Sequence, residues 1–363
     1  MGFSCPKCSN SNKEYFYNIN GKLYCRKCIT FVGTIANSDY IVKSGDYHLN
    51  YCLTTEQQKA SDFILDNVIK NTNCALNAVC GAGKTEIIYD VLQYCLHKKL
   101  KIGIAIPRKD VVIELQERID RDFNVNVVSV YGEHHEIVEG DIIIFTTHQA
   151  FRYNDYFDVL IVDEVDAFPY NNNLVLKNIV SKCSKVFVYL SATMPRYIEK
   201  DNKINKFYLN KRYHGFDLPI PKYKETFNML STLKRYLRKY DNKVVLVYFP
   251  TIKLQKLISQ KVKYDYLINS KIDNREEVLK QIKVLDKGVV FTTTVLERGI
   301  TIKNVTVIVF NADNRLFNED TLIQISGRVG RHKDYYKGDI IFVCKRVTKE
   351  IKRTIKILKK CNE

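Results

Sequence analysis

The apolar residues of the first two hundred positions fall into two recurring patterns. Short, nearly continuous apolar runs ("CALNAV", "KIGIAIP", "VNVVSVY", "DIIIFTTHQ", "DVLIVDEVD", "KVFVYLSAT") read as buried strands. Between them lie segments with an apolar residue every three to four positions, such as "LTTEQQKASDFILDNVIK", "EIIYDVLQYCL" and "KDVVIELQERI", which read as amphipathic helices. In the first of these, Ala60, Phe63, Ile64 and Val68 share one face. Runs apolar on both faces, alternating with helices, predict a parallel sheet covered on both sides. After "KRYHGFDLPIPKY", whose Gly215, Pro219 and Pro221 suit a linker, the pattern starts again with "KVVLVYFP", "TIKLQKLISQKV", "YDYLINS", "GVVFTTT", "VTVIVFN" and "GDIIFVCK". The last segment, "VTKEIKRTIKILKKC", predicts a basic helix with Val347, Ile351, Ile355 and Leu358 on its apolar side, either docked on the second lobe or meeting a membrane or DNA. The expected organisation is α/β: a small module over 1–33, one parallel-sheet lobe over 34–210, a second over 211–345, and a C-terminal helix over 346–363.

The first thirty residues do not follow this pattern, and cysteine explains them. Cys5, Cys8, Cys25 and Cys28 form C-x2-C-x16-C-x2-C, the spacing of a four-thiolate zinc site, around "YFYNINGKLY", which predicts a hairpin turning at Asn20 and Gly21. Four thiolates leave no open coordination position, so the zinc is expected to be structural, replacing a core that so short a segment cannot build. A redox use of two CxxC pairs would call for an adjoining βαβ pattern, which is missing here. The other seven of the eleven cysteines have no ligand spacing; Cys80 is the one for which a redox role is conceivable, with simple packing as the plainer reading.

Charge adds a partner class. Lys and Arg total 57 against 40 Asp and Glu, a net +17, which favours a polyanion such as nucleic acid or an acidic membrane surface. With no run of 18 apolar residues and no apolar core in "MGFSCPKCSN", the chain is expected to be cytoplasmic, with any membrane association peripheral.

Candidate chemistry sits at the strand ends. "AVCGAGKTE" departs from the phosphate-loop pattern at its first glycine, where Ala78 stands, but Gly81, Ala82 and Gly83 can still turn backbone N–H groups toward phosphate oxygens. Lys84 would reach the β and γ phosphates and Thr85 would bind Mg2+; an ordinary glycine-rich turn is the plainer alternative. "VLIVDEVDAFPY" ends an apolar strand in adjacent acids. Asp163 can hold the Mg2+ shell and Glu164 polarise an attacking water, a pairing that gains weight from the loop 80 residues upstream.

Asp163, Glu164, Val165 and Asp166 resemble the DEAD/DEAH-type box of superfamily 2 helicases, and the longer "DEVDAFPY" is similar to the ComFA family of bacterial competence proteins. "LTTEQQKA", "AVCGAGKTE", "TTHQ", "YLSATMP", "TTTVLERGIT" and "QISGRVGRHK" follow in that family's order, and the four-cysteine module fits it too, so the resemblance spans nearly the whole chain. It implies two RecA-like lobes with ATP between them and single-stranded nucleic acid across both, with single-stranded DNA the expected partner. By resemblance, Gln57 reads adenine, although Thr54 to Gln57 also fits a helix capping box. Ser191 and Thr193 would bond near Asp166 and couple the ATP and strand sites, or else cap a helix. Gln324, Arg328 and Arg331 would act from one helix, the two arginines reaching the γ-phosphate when the lobes close; surface salt bridges are the plainer role. Strand contacts would come from Pro107, Arg108, Thr146, Thr147, His148, Thr293 and Thr294, with His148 alternatively a buried strand-end residue. Glu297, Arg298, Gly299, Ile300 and Thr301 replace the "ARGxD" common in other helicases.

The resemblance also implies the biological setting: a translocase that draws transforming DNA into the cytosol, working with other competence proteins of ComFC type and an inner-membrane DNA channel. A PriA-like restart helicase is the rival enzyme, but its zinc-binding cysteines lie in its second half. A zinc-bearing nucleic-acid binding module with an inactive ATP site is the rival from another class, against which Lys84, Asp163, Glu164 and Arg331 all speak.

Overall fold

The computed structural model describes residues 4–132, 137–272, 274–293 and 302–363. Thr294 and the 297–301 segment therefore lie outside the described residues. The chain divides into two compact units, Met1–Ala78 with Gly83–Leu209, and Val79–Ala82 with Asn210–Glu363.

The first unit opens with the hairpin that "YFYNINGKLY" predicts between the two cysteine pairs. Strands β1 (Phe16–Ile19) and β2 (Lys22–Cys25) pair antiparallel, and both turn residues, Asn20 (φ 50°) and Gly21 (φ 78°), adopt the left-handed conformation a two-residue hairpin turn demands. The polar stretch that follows is not a loose connector. It runs along the lobe as a strap, pinned by wholly buried Asp141, whose carboxylate accepts from Lys43 N (2.8 Å), Tyr40 OH (3.1 Å) and Asn126 N (3.0 Å). Arg152, buried to 1% exposure, donates to the Thr34 carbonyl (2.6 Å), and a Cβ at Gly33 would strike its guanidinium at 2.6 Å.

A seven-stranded sheet makes the body of this unit. Its strands are β3 (Cys74–Ala78), β4 (Ile102–Ile106), β5 (Val127–Val130), β6 (Ile142–Thr146), β7 (Phe157–Val162), β8 (Ser184–Ser191) and β9 (Asn205–Leu209). They lie in the order β5-β6-β4-β7-β8-β3-β9, with every pairing parallel. The helices are α1 (Thr55–Ile69), α2 (Lys84–Ile87), α3 (Tyr89–His97), α4 (Lys109–Asp122), α5 (Leu174–Val180) and α6 (Arg196–Glu199). In α1, Ala60, Ile64 and Val68 are buried as the periodicity predicts, while Phe63 is half-buried with its ring 5.3 Å from that of Phe207. The helix read over "EIIYDVLQYCL" breaks at Ile88 into α2 and α3.

The second unit is a six-stranded parallel sheet of β10 (Lys222–Glu225), β11 (Val244–Tyr248), β12 (Tyr266–Ile268), β13 (Gly288–Thr292), β14 (Val305–Phe310) and β15 (Ile340–Cys344), ordered β10-β15-β14-β11-β13-β12. Alternate residues of β11 feed opposite cores: Val244, Leu246 and Tyr248 join one cluster, Val245 and Val247 the other, which is why the strand is apolar throughout. Helices α7 (Met229–Lys239), α8 (Ile252–Ser259), α9 (Arg275–Lys283), α10 (Glu319–Ser326) and α11 (Lys349–Lys360) complete it. The basic C-terminal helix α11 docks on this unit, with Ile351 and Leu358 buried and Val347 and Ile355 packed against the core. The proline-rich linker ends sooner than its sequence suggests, because Lys222–Glu225 is an edge strand; all four of its residues are exposed, so no apolar run marks it.

Candidate nucleotide and zinc sites

In a parallel sheet every strand points the same way, so whatever follows the strands gathers at one edge. Five adjacent strands of the first unit use that edge. β6 leads into Thr146–His148, β4 into Pro107 and Arg108, β7 into Asp163–Asp166, β8 into Ser191–Thr193, and β3 into the glycine loop.

The loop's geometry requires its glycines. Gly81 (φ 86°) and Gly83 (φ 83°) are both left-handed, and Gly83 caps the N-terminus of α2, which begins at Lys84. A Cβ on Gly83 would lie 2.3 Å from Gln57 Nε2, so the Gln57 amide lies directly against the loop. Ala82, buried, closes the turn by donating its N–H to the Val79 carbonyl (3.0 Å). Lys84 Nζ lies 3.2 Å from the Ala78 carbonyl, and Thr85 follows half-buried. A turn that needs left-handed backbone at Gly81 and Gly83 and has no room for a side chain at Gly83, opening a helix that starts Lys-Thr, fits a polyphosphate with its Mg2+. Of the two readings of Gln57, the capping box is present. Its Oε1 accepts from Thr54 N (2.9 Å) while Thr54 Oγ1 accepts from Gln57 N (3.3 Å), a complete capping box, and that same bond aims the amide nitrogen at the loop.

At the end of β7, Asp163 Oδ1 accepts the Glu164 N–H at 2.7 Å. Glu164 itself holds φ 54°, a left-handed conformation unusual for a residue with a Cβ and costing about 1 kcal/mol or more. Asp166, 7% exposed, accepts from Ser191 Oγ (2.9 Å) and Thr193 Oγ1 (3.1 Å), which joins the ends of β7 and β8 through side chains as the sequence suggests.

The proposed strand-contact residues are less uniform. Pro107 is buried and Arg108, half-buried, caps α4. Thr147 is wholly buried, and its hydroxyl makes no hydrogen bond among the described residues. His148 is exposed rather than a buried strand-end histidine, with its ring 6.3 Å from that of Phe31. Thr146 is 8% and Thr293 7% exposed.

In the second unit the expected arginine helix needs correction. α10 ends at Ser326 with Gly327 as its cap, and Gly330 turns left-handed at φ 73°, so Arg328 and Arg331 lie on the turn beyond the helix and share no helical face. Gln324 is buried within α10 and Arg328 is 3% exposed, while Arg331 is half-buried with its Nε donating to the Gly327 carbonyl (2.9 Å).

What holds that turn escapes a sequence reading. Arg212 donates to the carbonyls of Val329 (2.7 Å) and Gly327 (3.2 Å), Tyr213 OH to that of Arg331 (3.1 Å), and His214 Nε2 lies 2.9 Å from that of Gly330. Burial first, and then the Arg331 charge, pull Arg212 down to about 10, which still leaves it charged at neutral pH. In sequence, "KRYHG" looks like any polar linker; only its placement makes it a brace.

The four cysteines of the hairpin module converge. Their sulfurs all lie within 4.8 Å of one another, with Cys5–Cys28 at 3.5 Å and Cys8–Cys25 at 3.7 Å, and all four residues are buried. A tetrahedral zinc with bonds of about 2.3 Å needs sulfur separations of about 3.8 Å, so the set fits. Asn10 Nδ2 lies 3.7 Å from Cys25 Sγ, and Asn178 of α5 donates to the Cys8 carbonyl (3.0 Å), tying the module to the helix that follows the acidic strand end.

Two parallel-sheet lobes, a glycine cradle and a strand ending in Asp-Glu-Val-Asp define a helicase-like ATPase of superfamily 2. Residues 50–196 match the family described as type III restriction enzyme, res subunit, and residues 228–333 the helicase conserved C-terminal domain. Over 99% of its length the chain is 31% identical to competence protein ComFA of Bacillus subtilis, covering 86% of that protein, and 31% identical to ComFA of Streptococcus pneumoniae, covering 90%. The chain belongs to the ComFA family. Among solved structures, the DEAD-box helicase Mss116 bound to ssRNA and UDP-BeF is similar in fold, at TM-score 0.61 and 18% identity over 84% of this chain and 77% of that one. So is S. cerevisiae Dbp5 bound to RNA and ADP BeF3, at TM-score 0.61 and 16% identity over 85% and 91%.

Proposed function

We propose that the protein is an ATPase stimulated by single-stranded DNA, which moves along the strand and helps draw transforming DNA into the cytosol. The observation that carries this reading is the convergence of five motif segments at one edge of the first sheet, in a chain of the ComFA family. Lys84 and the amides of Gly81, Ala82 and Gly83 would hold the phosphates. Thr85 and Asp163 would hold Mg2+, which when bound neutralises phosphate charge. Glu164 would orient and polarise the attacking water, its backbone N–H held on the Asp163 carboxylate. Gln57 would read the adenine. Arg331, with Gln324 near it in sequence, would complete the charge compensation when the second lobe closes, and Ser191 and Thr193 would relay that closure through Asp166. Among the described residues no helix is long and apolar enough to cross a membrane. We place the protein on the cytoplasmic side, working with other competence proteins of ComFC type at the inner-membrane DNA channel.

The deciding experiment compares ATP turnover with single-stranded DNA, duplex DNA and RNA. Single-stranded DNA should stimulate most; turnover indifferent to all three overturns the reading. Affinity should also fall steeply with salt and depend little on sequence, because phosphates carry most of the contact. Titrations across salt should give a log–log slope of about −0.7 for each phosphate neutralised, and a flat plot would count against the proposal.

Zinc is proposed as the ion of the four-thiolate site. Elemental analysis should find one zinc per chain. Cys25→Ser, or any of the other three, should lose it and loosen residues 4–33 to amide exchange while the lobes stay folded; metal-free wild-type protein that takes up no zinc would end this assignment.

A further inference from the structure

We propose that the outer face of the zinc hairpin is a stacking platform for the bases of single-stranded nucleic acid, an inference that rests on, and extends, the DNA-stimulated reading above. Strand alternation separates the two faces of the hairpin. Phe16 packs against the core of the first unit and its cross-strand partner Cys25 joins the thiolate cluster, so their neighbours Tyr17 and Tyr24 point the other way. Those two tyrosines face each other across the strands with ring centroids 6.0 Å apart. Beside them, the Arg26 guanidinium sits 4.8 Å from the Tyr17 ring centroid and Lys27 Nζ 4.3 Å from that of Tyr15, which is 39% exposed.

The charge around these rings is predominantly positive. Among residues 4–33 there are five cations, Lys7, Lys13, Lys22, Arg26 and Lys27, against the single acid Glu14. Of these, Lys22, Arg26 and Lys27 are exposed on or next to the hairpin. Solubility alone needs the cations but not the paired, half-buried rings of Tyr17 and Tyr24 with exposed Tyr15 beside them. Arg26 and Lys27 lie over the Tyr17 and Tyr15 rings on long, exposed side chains, so an incoming base can take the ring face while the displaced cation pairs with its phosphate, without reading sequence. The left-handed Asn20-Gly21 turn and the thiolate cluster beneath fix the hairpin, so little order has to be imposed on binding.

The chain contains no tryptophan, so Tyr17→Trp gives the protein a single indole reporter on this face. In the full zinc-loaded chain, a single-stranded oligonucleotide should quench its emission, whereas an abasic strand of equal length and charge should not. Tyr17→Ser with Tyr24→Ser should lower affinity for the ordinary strand by roughly 5- to 150-fold per base unstacked and leave affinity for the abasic strand unchanged. If Tyr17→Trp fails to retain zinc, Tyr24→Trp replaces it. Stimulated ATP turnover with unchanged indole emission overturns the platform, leaving the face to a protein partner and the translocase reading intact. Quenching without any stimulation keeps the platform and removes the translocase. Neither effect removes both.

Discussion

Glu164→Gln is expected to bind ATP as the wild type does and to hydrolyse it roughly 100- to 10,000-fold more slowly, the usual worth of a general base. The substitution keeps the size of the side chain and leaves the backbone bond from Glu164 N to Asp163 Oδ1 untouched, so the carboxylate proposed to hold Mg2+ stays where it is. What goes is the negative charge that, in the proposed role, would draw a proton from water. Because hydrolysis and release would reopen the lobes, the variant should also dissociate slowly from single-stranded DNA in the presence of ATP. Single-turnover hydrolysis, measured beside nucleotide affinity, separates the two steps. Near-normal turnover would move the role to another residue. Glu164→Ala is a less clean test, since it also removes whatever the side chain contributes to holding a left-handed backbone at φ 54°.

Arg331→Ala is expected to cost on the order of 1,000-fold or more in DNA-stimulated turnover, the scale set by loss of an arginine finger. Negative charge develops on the transferred phosphoryl group as its bond breaks, and Lys84 with Mg2+ would compensate it from the first lobe only. Arg331→Lys should be nearly as damaging, because an ammonium does not reproduce the planar fork. Sequence spacing leaves Arg328 and Arg331 as near equals; burial separates them. Arg328 is 3% exposed, whereas Arg331 is half-buried and its guanidinium plane is set by the bond from Nε to the Gly327 carbonyl. Arg328→Ala should therefore act mainly through folding of the second unit, visible as a lowered melting temperature. If Arg328→Ala abolishes turnover in a protein that melts normally while Arg331→Ala remains active, the assignment reverses. If both remain active, lobe closure is not the mechanism.

Much of this was legible in the chain because the signals are local. Apolar runs identify the strands that are buried on both faces, and such strands must be parallel once helices lie between them. The four-cysteine cluster needs only two CxxC turns and a hairpin, and its Asn20-Gly21 turn can be read from the two residues that tolerate left-handed backbone. The edge strand β10 hides for the opposite reason. Lys222–Glu225 buries none of its residues, so the hydrophobic pattern has nothing to record there, and only pairing with β15 makes it a strand.

The chemistry divides in the same way. By itself the sequence determined which residue types end the strands: the glycines that allow a phosphate cradle, the adjacent acids, the hydroxyls of Ser191 and Thr193. Tertiary structure alone decided which of them meet, because strand order in a sheet is set by packing of distant segments and not by any local preference. It placed Ser191 and Thr193 on the Asp166 carboxylate and the Gln57 amide against Gly83. It ended α10 before Arg328, and it turned the apparent linker at Arg212, Tyr213 and His214 into the brace of the arginine turn. A side chain that donates to a carbonyl more than a hundred positions away leaves no mark on its neighbours in the chain, so such a brace exists only once the fold has brought the two together.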